Sequence, residues 1–147
     1  MLVFVDTNIL LYAHDAGAGE KRRRAAELLR QLVQSGSGVV SSQVLMEFYV
    51  NAMRKPSPPL ASSDALQIVT VYAPWVVVPT SAGTVLSALN LRQRHSLSPW
   101  DALIVAAAVE ARCEQLLTED MQHGQRIEGV EIVNPFVGIV TSPLISK

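Results

Sequence analysis

The sequence predicts an α/β fold with a mostly parallel sheet. Short β-prone apolar runs alternate with segments of helical periodicity along most of the chain, which is the pattern of βα units. The first run, Leu-Val-Phe-Val at residues 2–5, is apolar at every position and is typical of a parallel strand covered on both faces. The segment ALIVAAAVEA, residues 102–111, is apolar almost all round and predicts a buried helix.

Each element follows from apolar spacing and from residues that start or stop helices. The predicted strands are residues 2–5, 38–40, 75–78, 115–118 and 130–133. The predicted helices are residues 9–12, 20–35, 44–53, 64–72, 79–95 and 98–111. The expected caps are Thr7 or Asn8, the pair Ser41-Ser42, Ser98 followed by Pro99, and Gly36 as a helix stop.

Composition indicates one packed domain. The chain has 147 residues, of which 49% are hydrophobic and only 17% charged, and this balance argues against disorder. The single cysteine, Cys113, excludes an internal disulfide and fits a reducing cytoplasm. No apolar run approaches the ~18 residues of a membrane span, and no signal peptide is expected. The net charge of −1 does not by itself indicate a nucleic-acid partner, so phosphate binding would need local cations or a metal.

Four acids stand where a parallel sheet forms its ligand crevice, beyond the carboxyl ends of the strands. Asp6 ends the first strand, and Glu47 lies on the helix after the second. Asp101 opens the buried helix, and Asp120 lies just past the strand at 115–118.

Taken singly, each acid has a structural alternative. Asp6 could cap the first helix, and Glu47 could belong to a solvated helix stripe. Asp101 occupies the last position of a capping box that starts at Ser98. Asp120 competes with its neighbour Glu119, and either could be an exposed loop acid.

Taken together, the acids favour a cation site. Carboxylates that share one crevice repel, at a cost on the order of 4 kcal/mol per pair at ~4 Å and an effective dielectric near 20. Such a cluster must bind protons or a cation. Oxygen ligands without nearby His or Cys suit Mg²⁺ or Mn²⁺. An ion of this kind at such a pocket suits phosphodiester hydrolysis.

The motifs resemble those of the PIN-domain family of metal-dependent ribonucleases, especially the VapC-type toxins of toxin–antitoxin pairs. The matching pieces occur in family order: VFVDTNILLYA (3–13), SSQVLMEFY (41–49), SPWDALIVAAA (98–108), LLTEDMQHG (116–124) and VEIVNPF (130–136). The resemblance implies a three-layer α/β/α sandwich whose central, mainly parallel sheet has about five strands. It implies a nuclease domain at residues 1–137, followed by a tail of open role at 138–147.

The resemblance also implies the site. Its catalytic acids would be Asp6, Glu47, Asp101 and Asp120, with Asp6 and Asp101 as direct ligands of Mg²⁺ or Mn²⁺. Glu47 and Asp120 would act through water or a second ion, and the family pattern of Thr, one residue, then Asp favours Asp120 over Glu119. The supporting polar residues would be Thr7, Asn8 and Thr118.

The hypothesis that follows is in-line attack by a metal-activated water on an RNA phosphodiester, leaving a 5′-phosphate and a 3′-hydroxyl. The expected partners are RNA, a cognate antitoxin and a second copy of the chain. Apolar surfaces near Leu10 to Tyr12 and along Leu28 to Val33 could serve such contacts or could equally be core. The basic run Lys21 to Arg24 could contact RNA or be solvated.

Two other functions stay open. A phosphatase of the haloacid-dehalogenase type would need a second aspartate two residues after Asp6, where this chain has Asn8. A catalytically silent module could keep the fold for binding alone. Metal-dependent cleavage of RNA separates these alternatives from the nuclease.

Overall fold

The sheet is parallel in five of its six strands. The computed structural model describes residues 1–139 of the chain. The strands are β1 (Val3–Val5), β2 (Gly38–Ser41), β3 (Val76–Val78), β4 (Gln115–Leu117), β5 (Arg126–Ile127) and β6 (Val130–Val133). The sheet order is β3-β2-β1-β4-β6-β5, and only the edge strand β5 is antiparallel to its neighbour.

In the part of the chain that the structure describes, six helices accompany this sheet. They are α1 (Thr7–Ala13), α2 (Glu20–Ser35), α3 (Ser42–Ala52), α4 (Ser62–Tyr72), α5 (Ala82–Arg94) and α6 (Pro99–Glu110). α6 packs against β2, β4 and β6 and against α5, whereas α1 packs against α2 and α3. The predicted three-layer α/β/α fold is confirmed. Within residues 1–139, no helix has the length and apolar character to cross a bilayer.

The centre of the core lies where the sequence is most apolar. All three residues of β1 are buried, and Phe4 and Val5 have no exposed surface. Residues Ala102 to Ala108 of α6 are buried throughout, because this helix lies between the sheet and α5. Burying a side chain such as Phe4 contributes roughly 1.5–3 kcal/mol, so the strand that ends in Asp6 is firmly held.

The register of β1 and β4 brings two polar residues side by side. Val5 is paired with Leu117, so Asp6 and Thr118 follow at the carboxyl ends of adjacent parallel strands. The backbone continues this pairing, since the Asp6 amide donates to the Leu117 carbonyl at 3.0 Å. Two of the candidate site residues therefore lie side by side at this edge of the sheet.

Several element boundaries differ from the sequence-based prediction. The sheet has six strands instead of about five, because a two-residue strand such as β5 carries too little apolar pattern to be recognised. The first helix is capped by Asp6, not by Thr7 or Asn8, and the third by Ser41, whose hydroxyl accepts from the Val44 amide. The stop at Gly36 is confirmed, with the left-handed backbone that glycine tolerates.

The chain beyond the sheet is described only in part. Phe136 is buried and packs edge-on against Tyr12, which ties the region after β6 to α1. The division at residue 137 stays a prediction, and residues 140–147 of the predicted tail lie outside the described part of the chain.

Candidate active site

Asp6 is a buried carboxylate that also caps a helix. It is 4% exposed, and its Oδ1 accepts a hydrogen bond from the Thr7 amide at 2.7 Å. Its Oδ2 accepts from the Thr118 hydroxyl at 2.8 Å and from the Asn8 amide at 3.3 Å. Burial raises the pKa of Asp6 to about 7, the hydrogen bonds from Thr118 and Thr7 oppose the rise, and the charges of Asp120 and Glu47 add to it. The Asp6 carboxylate thus both caps α1 and belongs to the candidate site.

Asn8 connects two segments that are distant in sequence at this edge of the sheet. Its Nδ2 donates to Thr118 Oγ1 at 3.2 Å and to Asp120 Oδ2 at 3.0 Å, in addition to Asp6. Its Oδ1 accepts from the Glu119 backbone amide at 3.2 Å. A single amide side chain therefore holds the turn after β4 against the start of α1.

Glu47 projects from α3 toward the same place. The Thr7 hydroxyl donates to Glu47 Oε1 at 3.0 Å, and Gln43 Nε2 lies 3.4 Å from Oε2. Gln43, Glu47 and Asn51 share one face of α3, and all three line the pocket described below. This face of α3 lines the pocket. Glu47 therefore does not belong to a solvated helix stripe, which was the structural alternative.

Asp101 lies at the first turn of α6. The capping role falls on Ser98, whose hydroxyl accepts from the Asp101 amide at 3.1 Å, while the Asp101 carboxylate lines the pocket. Burial raises the pKa of Asp101, a hydrogen bond from Ser98 opposes the rise, and the charges of Asp120 and Glu47 add to it. Asp101 is half-buried, so its carboxylate remains accessible from the pocket.

The consecutive acids Glu119 and Asp120 have different surroundings. Asp120 lines the pocket with the other three acids. Glu119 accepts from the Tyr12 hydroxyl at 2.5 Å and pairs with the Lys21 ammonium at 3.0 Å. Lys21 also lies over the Tyr12 ring, 4.8 Å from its centroid. Glu119 therefore holds the turn after β4 through contacts outside the acidic pocket, whereas Asp120 lines the pocket.

The four acids meet in one concave site, here called the acidic pocket. Its volume is about 160 Å³, and it is lined by Asp6, Thr7, Asn8, Leu11, Gln43, Glu47, Asn51, Lys55, Trp100, Asp101, Ile104 and Asp120. The structure thus brings together all four acids that the sequence singled out, along with Thr7 and Asn8. Thr118 supports Asp6 from within the protein and is fully buried.

Sequence reasoning did not single out Gln43, Asn51, Lys55 and Trp100 as pocket residues. Gln43 and Asn51 could have been found, because they stand four residues on either side of Glu47 and so share its helix face. Trp100, 66% exposed, is adjacent to Asp101. Nothing in the local pattern marks Lys55, which stands in the loop after α3.

The donor set fits a hard divalent cation bound largely through water. Among residues 1–139, no three His, Cys, Asp or Glu side chains are close enough to surround one metal ion by themselves. Mg²⁺ commonly takes one or two carboxylates and keeps several waters, and Asp6 and Asp101 offer two carboxylates without His or Cys nearby in the pocket. Their raised pKa values reflect buried negative charge that a cation would relieve.

Comparisons with known proteins support the fold. The family model for the PIN domain matches residues 3–126. A chain of a toxin–antitoxin complex from Klebsiella pneumoniae is 26% identical, with a TM-score of 0.64, over 92% of this chain and 98% of that one. No curated protein gives a significant match.

Two more distant structures share the fold. A chain of VapBC2 from Rickettsia felis, solved with a DNA fragment from its promoter, is 19% identical with a TM-score of 0.63, over 90% of this chain and 97% of that one. VapC20 from Mycobacterium tuberculosis, a sarcin–ricin loop cleaving toxin, is 20% identical with a TM-score of 0.59, over 78% of this chain and 86% of that one.

Proposed function

Because the chain belongs to the PIN-domain family, we propose that it is an endoribonuclease that depends on Mg²⁺ or Mn²⁺. The observation that carries this proposal is the convergence of Asp6, Glu47, Asp101 and Asp120 on one pocket. These acids come from four separate segments of the chain, so local structure alone does not explain their convergence. Two of them have raised pKa values, which is a common property of functional carboxylates.

The roles of the acids follow from their surroundings. Asp6 and Asp101 would hold the metal, and Thr118, Thr7 and Asn8 orient Asp6 by hydrogen bonds to its two oxygens. When bound, the ion would lower the pKa of a water and neutralise charge on the phosphate. Glu47 and Asp120 face the same pocket and would accept a proton from the attacking water or fix its orientation.

The reaction would be hydrolysis of an RNA phosphodiester. The water oxygen bonds to phosphorus, the bond from phosphorus to the 3′ oxygen breaks, and that oxygen takes up a proton. The products are a 5′-phosphate and a 3′-hydroxyl. Because the attacking atom comes from water, this chemistry does not require the RNA 2′-hydroxyl as a nucleophile.

The test is cleavage of mixed RNA with Mg²⁺, with Mn²⁺ and with a chelator. Asp6→Asn and Asp101→Asn are expected to lower the rate at least about a hundredfold, because even residues behind the metal ligands typically cost 10–100-fold. Asp64→Asn is the matched control, since Asp64 is an exposed acid on α4 outside the acidic pocket. Unchanged metal-dependent cleavage by both pocket variants would refute the site.

The same assay separates the alternatives. Release of phosphate from small phosphoesters without RNA cleavage would favour the haloacid-dehalogenase type of phosphatase, and no activity of either kind would favour a binding module. The position of Asn8 argues against the phosphatase, because its amide supports Asp6, Thr118 and Asp120 by hydrogen bonds and carries no acid function.

We further propose that the chain is the toxin of a toxin–antitoxin pair in the cytoplasm and that it forms a homodimer. The similarity to a chain of the Klebsiella pneumoniae complex supports the toxin role. Expression of the chain alone is expected to arrest growth, and Asp101→Asn is expected to abolish the arrest. Co-expression of a small DNA-binding protein from the neighbouring reading frame should restore growth and co-purify with the chain. Growth arrest that persists in the Asp101→Asn variant would contradict this role.

The apolar surfaces first considered for protein contacts are mostly core. Leu10, Leu29 and Leu32 are buried, and Val33 is the exposed apolar residue of the stretch from Leu28 to Val33. The face of α5 formed by Val85, Leu86 and Leu89 is a better candidate for the dimer, since these side chains are 39%, 64% and 46% exposed.

A further inference from the structure

A second concave surface continues from the acidic pocket along α1. This side groove has a volume of about 260 Å³ and shares Asn8, Leu11, Lys55 and Asp120 with the pocket. Beyond them it extends past Tyr12 on α1 and is also lined by Pro56 and by the acids Asp15 and Glu119. Glu119 is paired with Lys21, and Asp15 accepts hydrogen bonds from backbone amides. A chain molecule whose reacting phosphate lay in the pocket would therefore have a continuous surface for its next unit.

Lys55 is a positively charged residue at the place where the acidic pocket meets the side groove. It is the only Lys or Arg among the described residues that lines the acidic pocket, and it also lines the side groove. It is exposed and has no ion-pair partner within residues 1–139, although four acids line the same pocket. By contrast, the nearby ammonium of Lys21 is paired with Glu119. The charge of Lys55 thus remains available for an anion from solution.

The loop that carries Lys55 is held in place by several contacts. The Lys55 amide donates to the Asn51 carbonyl at 2.8 Å, and Pro56 is buried. The Ser57 amide donates to Asp15 Oδ1 at 3.0 Å, which joins the loop to the segment after α1. The same carboxylate oxygen accepts from the Gly17 amide at 2.9 Å. The backbone at Lys55 is therefore presented at a defined place beside the pocket.

We infer that Lys55 binds the phosphate next to the scissile one in an RNA strand that runs from the acidic pocket into the side groove. This inference rests on the proposed ribonuclease function. The acids repel a polyanion, and the metal would compensate only at the scissile phosphate. A free ammonium beside them supplies the attraction that the flanking phosphate lacks. Lys55 is thus a binding residue that strengthens the binding of longer RNA substrates, and it is not a catalytic residue.

The first test measures binding of a single-stranded RNA to the Asp101→Asn protein with Mg²⁺, by fluorescence anisotropy over a range of salt. Lys55→Ala is expected to weaken binding roughly tenfold, as for the loss of one charge-assisted contact. The slope of log affinity against log salt should fall by about 0.7, the value for one phosphate contact on a single strand. Lys55→Arg should retain both the affinity and the slope.

Arg92→Ala is the charge-matched control. Arg92 is an exposed cation on α5 that lines neither the pocket nor the groove. Its loss is expected to leave the salt slope unchanged. Three outcomes would each overturn the inference. Lys55→Ala could have the same salt slope as the parent Asp101→Asn protein, Lys55→Ala and Arg92→Ala could have equal effects, or the parent could bind no RNA.

The second test uses cleavage by the otherwise unaltered chain. Lys55→Ala should raise KM with little change in kcat, because a flanking contact binds ground state and transition state alike. The KM effect should shrink on a dinucleotide that carries only the scissile phosphate, and return when one further phosphate is added on the side that occupies the groove. An equal effect on every substrate length would overturn the inference.

The two tests distinguish this inference from the proposed function. Salt-dependent RNA binding through Lys55 without any metal-dependent cleavage would refute the nuclease and keep the phosphate site. Metal-dependent cleavage with no effect of Lys55→Ala on KM or on the salt slope would keep the nuclease and refute the phosphate site.

Discussion

The Thr118 hydroxyl donates a hydrogen bond to Asp6 Oδ2 at 2.8 Å, across a sequence separation of 112 residues. Both groups are buried at the carboxyl ends of β1 and β4. This bond favours the charged form of a carboxylate that burial would otherwise keep neutral. The balance between the two effects makes Asp6 a sensitive titrating group of the site.

The stability of the metal-free protein should fall as Asp6 loses its proton. Burial raises the pKa of Asp6 from 3.8 to about 7, so the folded protein binds this proton more tightly than the unfolded chain. The resulting stability is fully present below about pH 4 and is lost as the pH rises through about 7. The loss is at most about 4 kcal/mol at 1.36 kcal/mol per pKa unit.

Asp6→Asn provides the comparison, because the amide does not titrate. Urea unfolding with chelator present, at several pH values between about 4 and 8, should show the unfolding free energy of the parent falling relative to that of Asp6→Asn. Asp64→Asn should follow the parent. Parallel curves for the parent and Asp6→Asn would contradict the raised pKa.

Glu119 should act as a positioning residue for Asp120. Its carboxylate is held by Tyr12 and Lys21, and its amide by Asn8. Glu119→Gln removes the charge with little change in shape, so the turn should loosen and Asp120 should lose its orientation. We expect kcat for RNA to fall roughly tenfold, as for residues behind metal ligands, with KM little changed.

Glu27→Gln is the matched control for Glu119→Gln. Glu27 pairs with Arg30 on the exposed face of α2, where solvent screens the ion pair. This variant should keep the parent kcat. Cleavage rates for a series of RNA concentrations measure both constants, and a Glu119→Gln enzyme with the parent kcat would exclude the positioning role.

Gly38 should tolerate no side chain. A Cβ added there would lie 2.6 and 2.8 Å from Cε3 and Cη2 of the Trp75 ring, which is partly buried and packs against the core. Gly38→Ala must therefore displace the indole and should lower the unfolding free energy by about 1–3 kcal/mol. Thermal and urea unfolding measure this loss.

Gly83→Ala is the opposite case and serves as its control. Gly83 lies in the first turn of α5, where the nearest atom to an added Cβ is Ser81 Oγ at 3.7 Å. The unfolded chain has less conformational entropy with alanine at this position than with glycine, and the helical backbone accommodates alanine without strain. This change should therefore stabilise the protein by about 0.4–1 kcal/mol. Equal effects at the two positions would show that the Trp75 contact does not decide the outcome.

The apolar face of α5 should govern self-association. Contiguous exposed apolar side chains mark contact surfaces more often than single ones do. Leu86→Lys with Leu89→Lys should shift the chain from dimer to monomer in sedimentation experiments. Leu66, an exposed residue on α4, lies outside this face, and Leu66→Lys should leave the dimer intact. A parent protein that stays monomeric at all concentrations would contradict the proposed dimer.

The sequence by itself predicted the α/β class, and it singled out four acids as candidates because they follow strand ends or helix starts. The apolar run before Asp6 predicts a buried parallel strand, and the position of an acid at a strand end predicts the crevice. The buried helix after Asp101 follows in the same way from an uninterrupted apolar segment. Short or weakly patterned elements such as β5 were missed for the same reason.

Only the tertiary structure decided which neighbours complete the site. Whether the third helix presents its polar stripe to water or to the other acids depends on packing between α3 and α1, which no local pattern encodes. The family pattern already favoured Asp120 over Glu119, but the contacts that hold Glu119 outside the pocket come from Tyr12 and Lys21, about a hundred residues earlier in the chain. Lys55 reaches the pocket because its loop is bonded to Asp15. Contacts between distant segments form only when the chain folds, and they set the position and charge of the groups that would act on a substrate.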